Sequence, residues 1–206
     1  MRDWENFHRI TNNKPPRKNI VHFISKYNIT GNAIDLGCGS GSDTIFLIKN
    51  NWNVLAIDSS NVEERIRSKL SDNEQEKLKF EVQKFEKLKL SKCDLLIANN
   101  SLPFCDKNYF HKMWEEICLN IKSNGYFVGN FFGLNDEWNT KNDRRTFFSK
   151  EEIIKLFSDF EILEMQEIEK DKPTAEGQMK HWHTIEIIAK KYNYKLILWQ
   201  IKIFLI

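Results

Sequence analysis

The chain is short of the residues that punctuate or staple a fold. It has 8 glycines, 4 prolines and 4 cysteines in 206 residues. The four cysteines, Cys38, Cys93, Cys105 and Cys118, share no C-x-x-C spacing, which excludes a zinc ribbon and a disulfide framework and reads as reduced thiols of a cytoplasmic protein. No charge sign dominates: 31 basic and 29 acidic residues leave a net charge of +2, so no strong non-specific grip on nucleic acid is expected. The N-terminus, MRDWENFHRI, lacks the apolar stretch of a signal peptide. Nowhere is there a run of the roughly 20 apolar residues that would span a bilayer. The longest, LILWQIKIFLI at 196–206, is expected to be an extra strand or docked tail, with membrane contact the minor alternative. With neither repeat nor linker, residues 1–191 read as one domain and 192–206 as an apolar tail of unassigned role.

What is present is an alternation of helical and extended patterns. Residues 15–27 open on two prolines and then place Ile20, Val21, Phe23, Ile24 and Tyr27 at helical spacing. NAIDLG and NVLAID read as buried strands, followed by helices over SDTIFLIKNN and VEERIRSKL. LKFEVQ and CDLLIAN are further strands, joined by a polar link over 84–92 with little room for a helix. A helix over 109–121, a strand GYFVGNFFG and a helix capped by the S-x-x-E box at Ser149 and Glu152 follow. FEILEMQEI and HWHTIEIIAKK close the chain as strands joined by the turn-rich EKDKPTAEGQMK, an antiparallel pair. The expected fold class is α/β, a three-layer α/β/α Rossmann-like sandwich of about seven strands, mostly parallel with an antiparallel last strand.

Chemistry concentrates where the first strand ends, in AIDLGCGSG. In an open parallel sheet ligands sit at the carboxyl ends of the strands. Gly37, Gly39 and Gly41 there leave out the Cβ atoms that would hold a ligand off the backbone. The following helix points its free N–H groups at the same place. Asp58 ends the second strand, where an acid accepts from ribose hydroxyls. The bland alternative is a strand–helix turn with no ligand. The spacing is G-C-G-S-G, not the G-x-G-x-x-G of dinucleotide sites, and Asp35 stands two residues before it. An acid there repels pyrophosphate and suits a cationic group, which favours S-adenosylmethionine, with its sulfonium and α-amino group, over NAD.

IDLGCGSG followed by LAIDSS resembles motifs I and II of class I S-adenosylmethionine-dependent methyltransferases, and the resemblance runs from about Trp4 to Lys191. GSDT, SLPF and KHWH make the pattern most similar to small bacterial tellurite- and thiopurine-type enzymes. The resemblance implies that Asp35, Gly37, Cys38, Gly39 and Gly41 hold the amino-acid end of the cofactor and that Asp58 and Ser59 hold the ribose. Lys84 stands where the family's adenine-reading acid aligns, so Phe85 is assigned the stacking face and Glu86 the acid's place. Asn99 matches a position lining the methyl-transfer centre.

A sulfonium is already an activated donor, so positioning, worth on the order of 7–11 kcal/mol, is the main task and no catalytic residue is assigned. A general base is required only for a neutral hydroxyl or amine acceptor. NNSLPF lacks the tetrapeptide of enzymes that methylate exocyclic nucleobase amines. Cys105 follows Phe104 rather than proline and reads as a buried thiol. The expected acceptor is a small molecule, the alternatives being a protein or RNA acceptor or, from another class, an NAD-binding oxidoreductase. Candidate rim residues are Phe104, Trp138, His181 and His183; the two histidines have no third ligand at metal spacing, so no metal is assigned. Trp4, Phe7 and Arg17 are expected either to form a lid or to pack a helix; Arg144 and Arg145 read as surface charges.

Overall fold

The protein was analysed as a computed structural model, in which residues 4–193 are described. The apolar run at 196–206 lies outside the described residues. Strands β1 (Asn32–Leu36), β2 (Asn53–Asp58), β3 (Leu78–Val82), β4 (Cys93–Ala98), β5 (Ile121–Gly133), β6 (Phe147–Phe148), β7 (Phe160–Pro173) and β8 (Met179–Lys191) build one sheet. Its order is β3-β2-β1-β4-β5-β8-β7, with β6 paired to the end of β5. β8 runs antiparallel to both its neighbours and the other pairings are parallel. This is the expected Rossmann-like sheet, in which the chain returns to the middle after β3 and so opens a crevice between the ends of β1 and β4.

Side-chain alternation along the strands sorts the core into two layers. Ala33, Val54, Ala56, Leu95 and Ile97 face one side, where they meet Ile20 and Phe23 of α2 (Lys18–Tyr27), Leu47 and Ile48 of α3 (Ser42–Lys49) and Ile66 of α4 (Glu63–Arg67). Ile34, Leu36, Leu96 and Phe127 face the other, against Phe110, Met113, Trp114 and Ile117 of α6 (Phe110–Asn120) and Ile153 of α7 (Lys150–Leu156). Fully buried Phe127, Phe131 and Phe157 pack edge-on around Trp114 at 4.9–5.8 Å, each worth roughly 1.5–3 kcal/mol of burial. α7 begins at the expected capping box, Glu152 N–H donating to Ser149 Oγ at 3.2 Å.

Three local readings are corrected and one element is added. The helix read over 62–70 is only α4, followed by a separate turn, α5 (Asp72–Gln75), with its own Ser71–Glu74 capping box. Residues 4–11, assigned no element from the sequence, form α1 (Trp4–Thr11). β5 begins at Ile121, although regular pairing with β4 resumes only at Tyr126, just after Gly125. The turn-rich 169–180 stretch is mostly strand. β7 and β8 pair out to Pro173 and Met179, and the turn narrows to 174–178, where Gly177 has φ +91°. The charges that resembled a loop sit across from partners, as with Asp171 opposite His181. β5 pairs with β8 only as far as Thr184, so the hairpin overhangs the carboxyl end of the sheet.

Candidate active site

The carboxyl ends of β1 to β4 open into a cavity of about 550 Å³. Its floor is the glycine turn, which is fastened to β2: Gly37 and Cys38 N–H donate to Ile57 O at 2.8 and 3.0 Å, and Gly39 N–H donates to Asp58 Oδ2 at 2.9 Å. Asp58 Oδ1 also accepts from Ser60 N–H, so one carboxylate orders two loops while lining the cavity beside Ser59. All three glycines have positive φ, but their missing Cβ atoms matter differently. A Cβ on Gly37 would lie 2.4 Å from Ser101 Cβ, and one on Gly41 would lie 2.5 Å from Ile66 Cγ1. Gly39 alone of the three faces open space, its nearest neighbour being His8 Cδ2 at 3.9 Å. The expectation that all three clear room for a ligand is corrected: Gly41 is no part of the cavity wall and is small so that α4 can pack against the turn.

Beneath the turn lies a network of buried acids. Asp35 accepts from Thr44 Oγ1 at 2.5 Å and is 3% exposed. Asp43, on the first turn of α3, accepts from the Arg17 N–H at 2.7 Å and from Asn99 Nδ2 at 2.8 Å, and Asn99 Oδ1 accepts from Asn19 Nδ2 at 2.7 Å. Burial, then the charge of Asp43, pushes the Asp35 carboxyl up to about 8 against the opposing Thr44 hydrogen bond. Burial raises Asp43 too, opposed by its bonds to Arg17 and Asn99. Two neighbouring carboxylates with this little compensation suit a cationic ligand and disfavour an anionic one. Burial with Asp35 and Asp58 alongside pushes the Cys38 thiol well up, and burial takes Cys105 to about 12, so both stay protonated.

Phe85 and Glu86, on a 3-10 turn over Phe85–Lys87, line the far end together with Lys84, and Phe85 Cζ reaches to within 3.5 Å of where a Gly37 Cβ would be. The roof is α1. Trp4, Phe7, His8 and Thr11, at i, i+3, i+4 and i+7, turn one face onto the cavity. Ser40 Oγ donates to Thr11 O at 2.9 Å, Ser42 Oγ to Lys14 O at 2.7 Å, and Arg65 pairs with Glu5 at 3.2 Å. Trp4 meets Phe104 edge-on at 5.3 Å. Trp4, Phe7 and Arg17 therefore all line the cavity, as a lid would. Asp43, His8 and Ser101 also line it and were missed by the sequence reading. The i, i+3, i+4, i+7 spacing of 4–11 was the available signal for His8, whereas Asp43 looks like an ordinary acid at a helix start.

The other rim candidates fall outside the cavity wall. His183 is buried, accepting from Asn135 N–H at Nδ1 (3.0 Å), with Nε2 on Glu167 at 2.8 Å. His181 is held on the exposed hairpin by Asp171 at 2.8 Å and Glu169 at 3.0 Å. The start of β8 does lie at the carboxyl end of β5, but its side chains are spent on the overhang. Lys180 and Asp136, 1% and 0% exposed, pair at 2.5 Å, and the ammonium lies 3.8 Å from the Trp182 ring and 4.4 Å from that of Trp138. Trp138 thus belongs to this box, its ring 6.2 Å from that of Phe104, which lines the cavity. Arg145, bound to Asp143, stacks on Trp138 at 4.1 Å; it is not a free surface charge. Arg144 is exposed and pairs with Asp106. Among the described residues no group of three or more His, Cys, Asp or Glu converges as a metal site. Nor is any helix among them long and apolar enough to cross a membrane.

A family profile described as a methyltransferase domain matches residues 30–190. No curated protein sequence matches the chain at a significant level. Among solved structures, the fold is shared with TehB from Haemophilus influenzae at 16% identity and a TM-score of 0.73, covering 91% of this chain and 66% of that one. The chain thus spans just under two thirds of the TehB chain. Magnesium protoporphyrin IX methyltransferase (ChlM) from Synechocystis PCC 6803, with bound S-adenosylhomocysteine, matches at 15% identity and a TM-score of 0.69, covering 91% of this chain and 93% of that one. The 1,6-didemethyltoxoflavin-N1-methyltransferase of Burkholderia thailandensis, with its acceptor and S-adenosylhomocysteine bound, matches at 17% identity and a TM-score of 0.64, covering 86% and 78%.

Proposed function

The chain belongs to the methyltransferase domain family, and from that premise we propose that it moves the methyl group of S-adenosylmethionine to a small-molecule acceptor by in-line displacement. The observation that carries the choice of donor is Asp35, a buried acid behind the glycine turn whose carboxyl is pushed up to about 8. A pyrophosphate would face that acid and Asp43, whereas a cationic donor relieves the strain of burying them. S-adenosylmethionine, when bound, supplies a methyl group already activated on a sulfonium.

The work left to the protein is to hold and orient. Asp35, Gly37, Cys38 and Gly39 would hold the amino-acid end, with Arg17 at the mouth to meet its carboxylate. Asp58 and Ser59 would take the ribose, and Phe85 and Glu86 the adenine. Asn99, its amide fixed from both sides by Asp43 and Asn19, offers a rigid wall at the reacting end. Because Cys38 and Cys105 stay protonated, the proposed transfer is direct and involves no cysteine adduct. A small acceptor is favoured by the roof: α1 covers the cavity, and about 550 Å³ is the size of one small-ligand pocket, not of a groove for a macromolecule. The relatives above act on a porphyrin and a toxoflavin precursor, both small molecules. The domain is proposed to span 1–191, where β8 ends, and the four free thiols suit a cytoplasmic setting.

Calorimetry with S-adenosylmethionine, S-adenosylhomocysteine and NADH, followed by radiolabel transfer to metabolite, protein and RNA fractions of a cell extract, tests the proposal. Binding of the first two and label in metabolites are expected. Binding of NADH alone would overturn the donor, and label confined to protein or RNA would overturn the acceptor.

A further inference from the structure

His8 is 1% exposed, yet its Nδ1 is buried without a hydrogen-bond partner. A buried polar atom left unsatisfied is expensive, and native folds keep few of them. His8 itself is a residue of the cavity wall, on the face of α1 that roofs the glycine turn. Its ring lies over Gly39, the glycine whose open side faces the cavity. Gly39 in turn is tied to Asp58, so His8 and Asp58 flank one corner of the cavity from above and below. Trp4 stacks on the imidazole at 6.4 Å, and the bonds from Ser40 and Ser42 pin the roof in this position. The charged groups facing the ring are Asp58, Arg65 and Glu5; burial, aided by Arg65, outweighs Asp58 and Glu5 and lowers the imidazole below its usual 6.5, keeping it neutral near pH 7.

We propose that His8 is a cofactor-binding residue delivered by the roof helix, its Nδ1 hydrogen-bonding a ribose hydroxyl whose other side is met by Asp58. A neutral imidazole suits a hydroxyl better than a charged group, and the corner already holds the one acid that a diol needs. The inference rests on the donor reading above, because it requires a nucleoside in this cavity. It also makes α1 part of the binding site: the pocket is complete only with the roof docked.

The test measures binding of S-adenosylhomocysteine and of its 2′-deoxy and 3′-deoxy forms to the full chain and to three variants. His8→Phe keeps a ring against Trp4 without a polar atom, His8→Asn returns an amide near the Nδ1 position, and His8→Ala removes the side chain. Unfolding midpoints without ligand establish which variants are folded. His8→Phe is expected to bind S-adenosylhomocysteine about tenfold more weakly. Its preference for the parent ligand over one of the deoxy forms should fall at least about threefold below that of the wild type, with Asp58 retaining the remainder. His8→Asn should regain most of that preference. Should His8→Ala not fold, the Phe and Asn pair decides. An unchanged ribose-to-deoxy ratio in His8→Phe, or wild-type affinity in it, overturns the assignment of His8. Failure of the wild type itself to bind S-adenosylhomocysteine overturns the donor reading instead, so the two failures are told apart.

Discussion

Replacing Asp35 by asparagine should make the unliganded protein more stable and a poorer binder. The Asp35 carboxyl moves from 3.8 in the unfolded chain to about 8 in the folded one, chiefly through burial. Between those values the folded chain keeps a proton that the unfolded chain has released, so stability falls as pH rises, by about 1.4 kcal/mol per pH unit for a full proton. The amide of the Asp35→Asn variant cannot ionise but still accepts from Thr44, so the variant escapes this loss. From about pH 5.5 to about pH 7 the wild type should lose roughly 2 kcal/mol more than Asp35→Asn, read from urea unfolding of both without ligand. His8, lowered from 6.5 by burial, contributes with the opposite sign in the neighbouring window and is common to both proteins, so it drops out of the difference. Asp43 titrates together with Asp35, and removing one charge eases the other, which adds to the gain in the variant. In the wild type, affinity for S-adenosylmethionine should rise with pH up to about 8, as Asp35 gives up its proton to face the cation, whereas the variant should bind more weakly and with a flatter profile. Parallel pH–stability curves for the two proteins would refute the reasoning.

Asp58→Ala should weaken S-adenosylmethionine binding by about tenfold to a hundredfold in calorimetry, because it releases the Gly39 and Ser60 N–H groups as well as the proposed ribose contact; wild-type affinity would sink the assignment. Asp136→Ala leaves the Lys180 ammonium buried among Trp182, Trp138 and Phe132 and should cost about 3–5 kcal/mol in chemical unfolding. The double change Asp136→Leu with Lys180→Met should cost much less, and equal losses would show that packing, not the stranded charge, carries the effect.

The sheet was readable because its strands are short apolar runs stopped by glycine, asparagine or acid, and a parallel sheet buried on both faces leaves no other composition open to NAIDL, NVLAID and CDLLIA. The acid at Asp58 and the turn at 37–41 were equally visible, since a positive-φ turn needs glycine. The roles within the turn were not: what a Cβ would strike depends on Ser101 and Ile66, both more than twenty residues away in sequence. The same holds for Asp43, whose bonds to Arg17 and Asn99 join three separate elements. His181 and His183 misled because position at the rim is set by strand direction, whereas a side chain's employment is set by its cross-strand partners, here Asp171, Glu169 and Glu167.

The overhanging β7–β8 hairpin is tied to the loop after β5, where Asp136 accepts from Lys180 Nζ and His183 N–H, while the corner proposed for the donor is held by Asp35, Thr44, Asp43 and Asn99; the Phe104 and Trp138 rings meet between cavity and overhang. In terms of descent, that is a division of labour between a fixed engine and a replaceable fitting. Lengthening or recharging the overhang would move Trp138 against Phe104, and so reshape that edge of the cavity while the bonds among Asp35, Thr44, Asp43 and Asn99 stay as they are. A lineage could thus change what it modifies by drift in a hairpin, without first surviving the loss of what it modifies with.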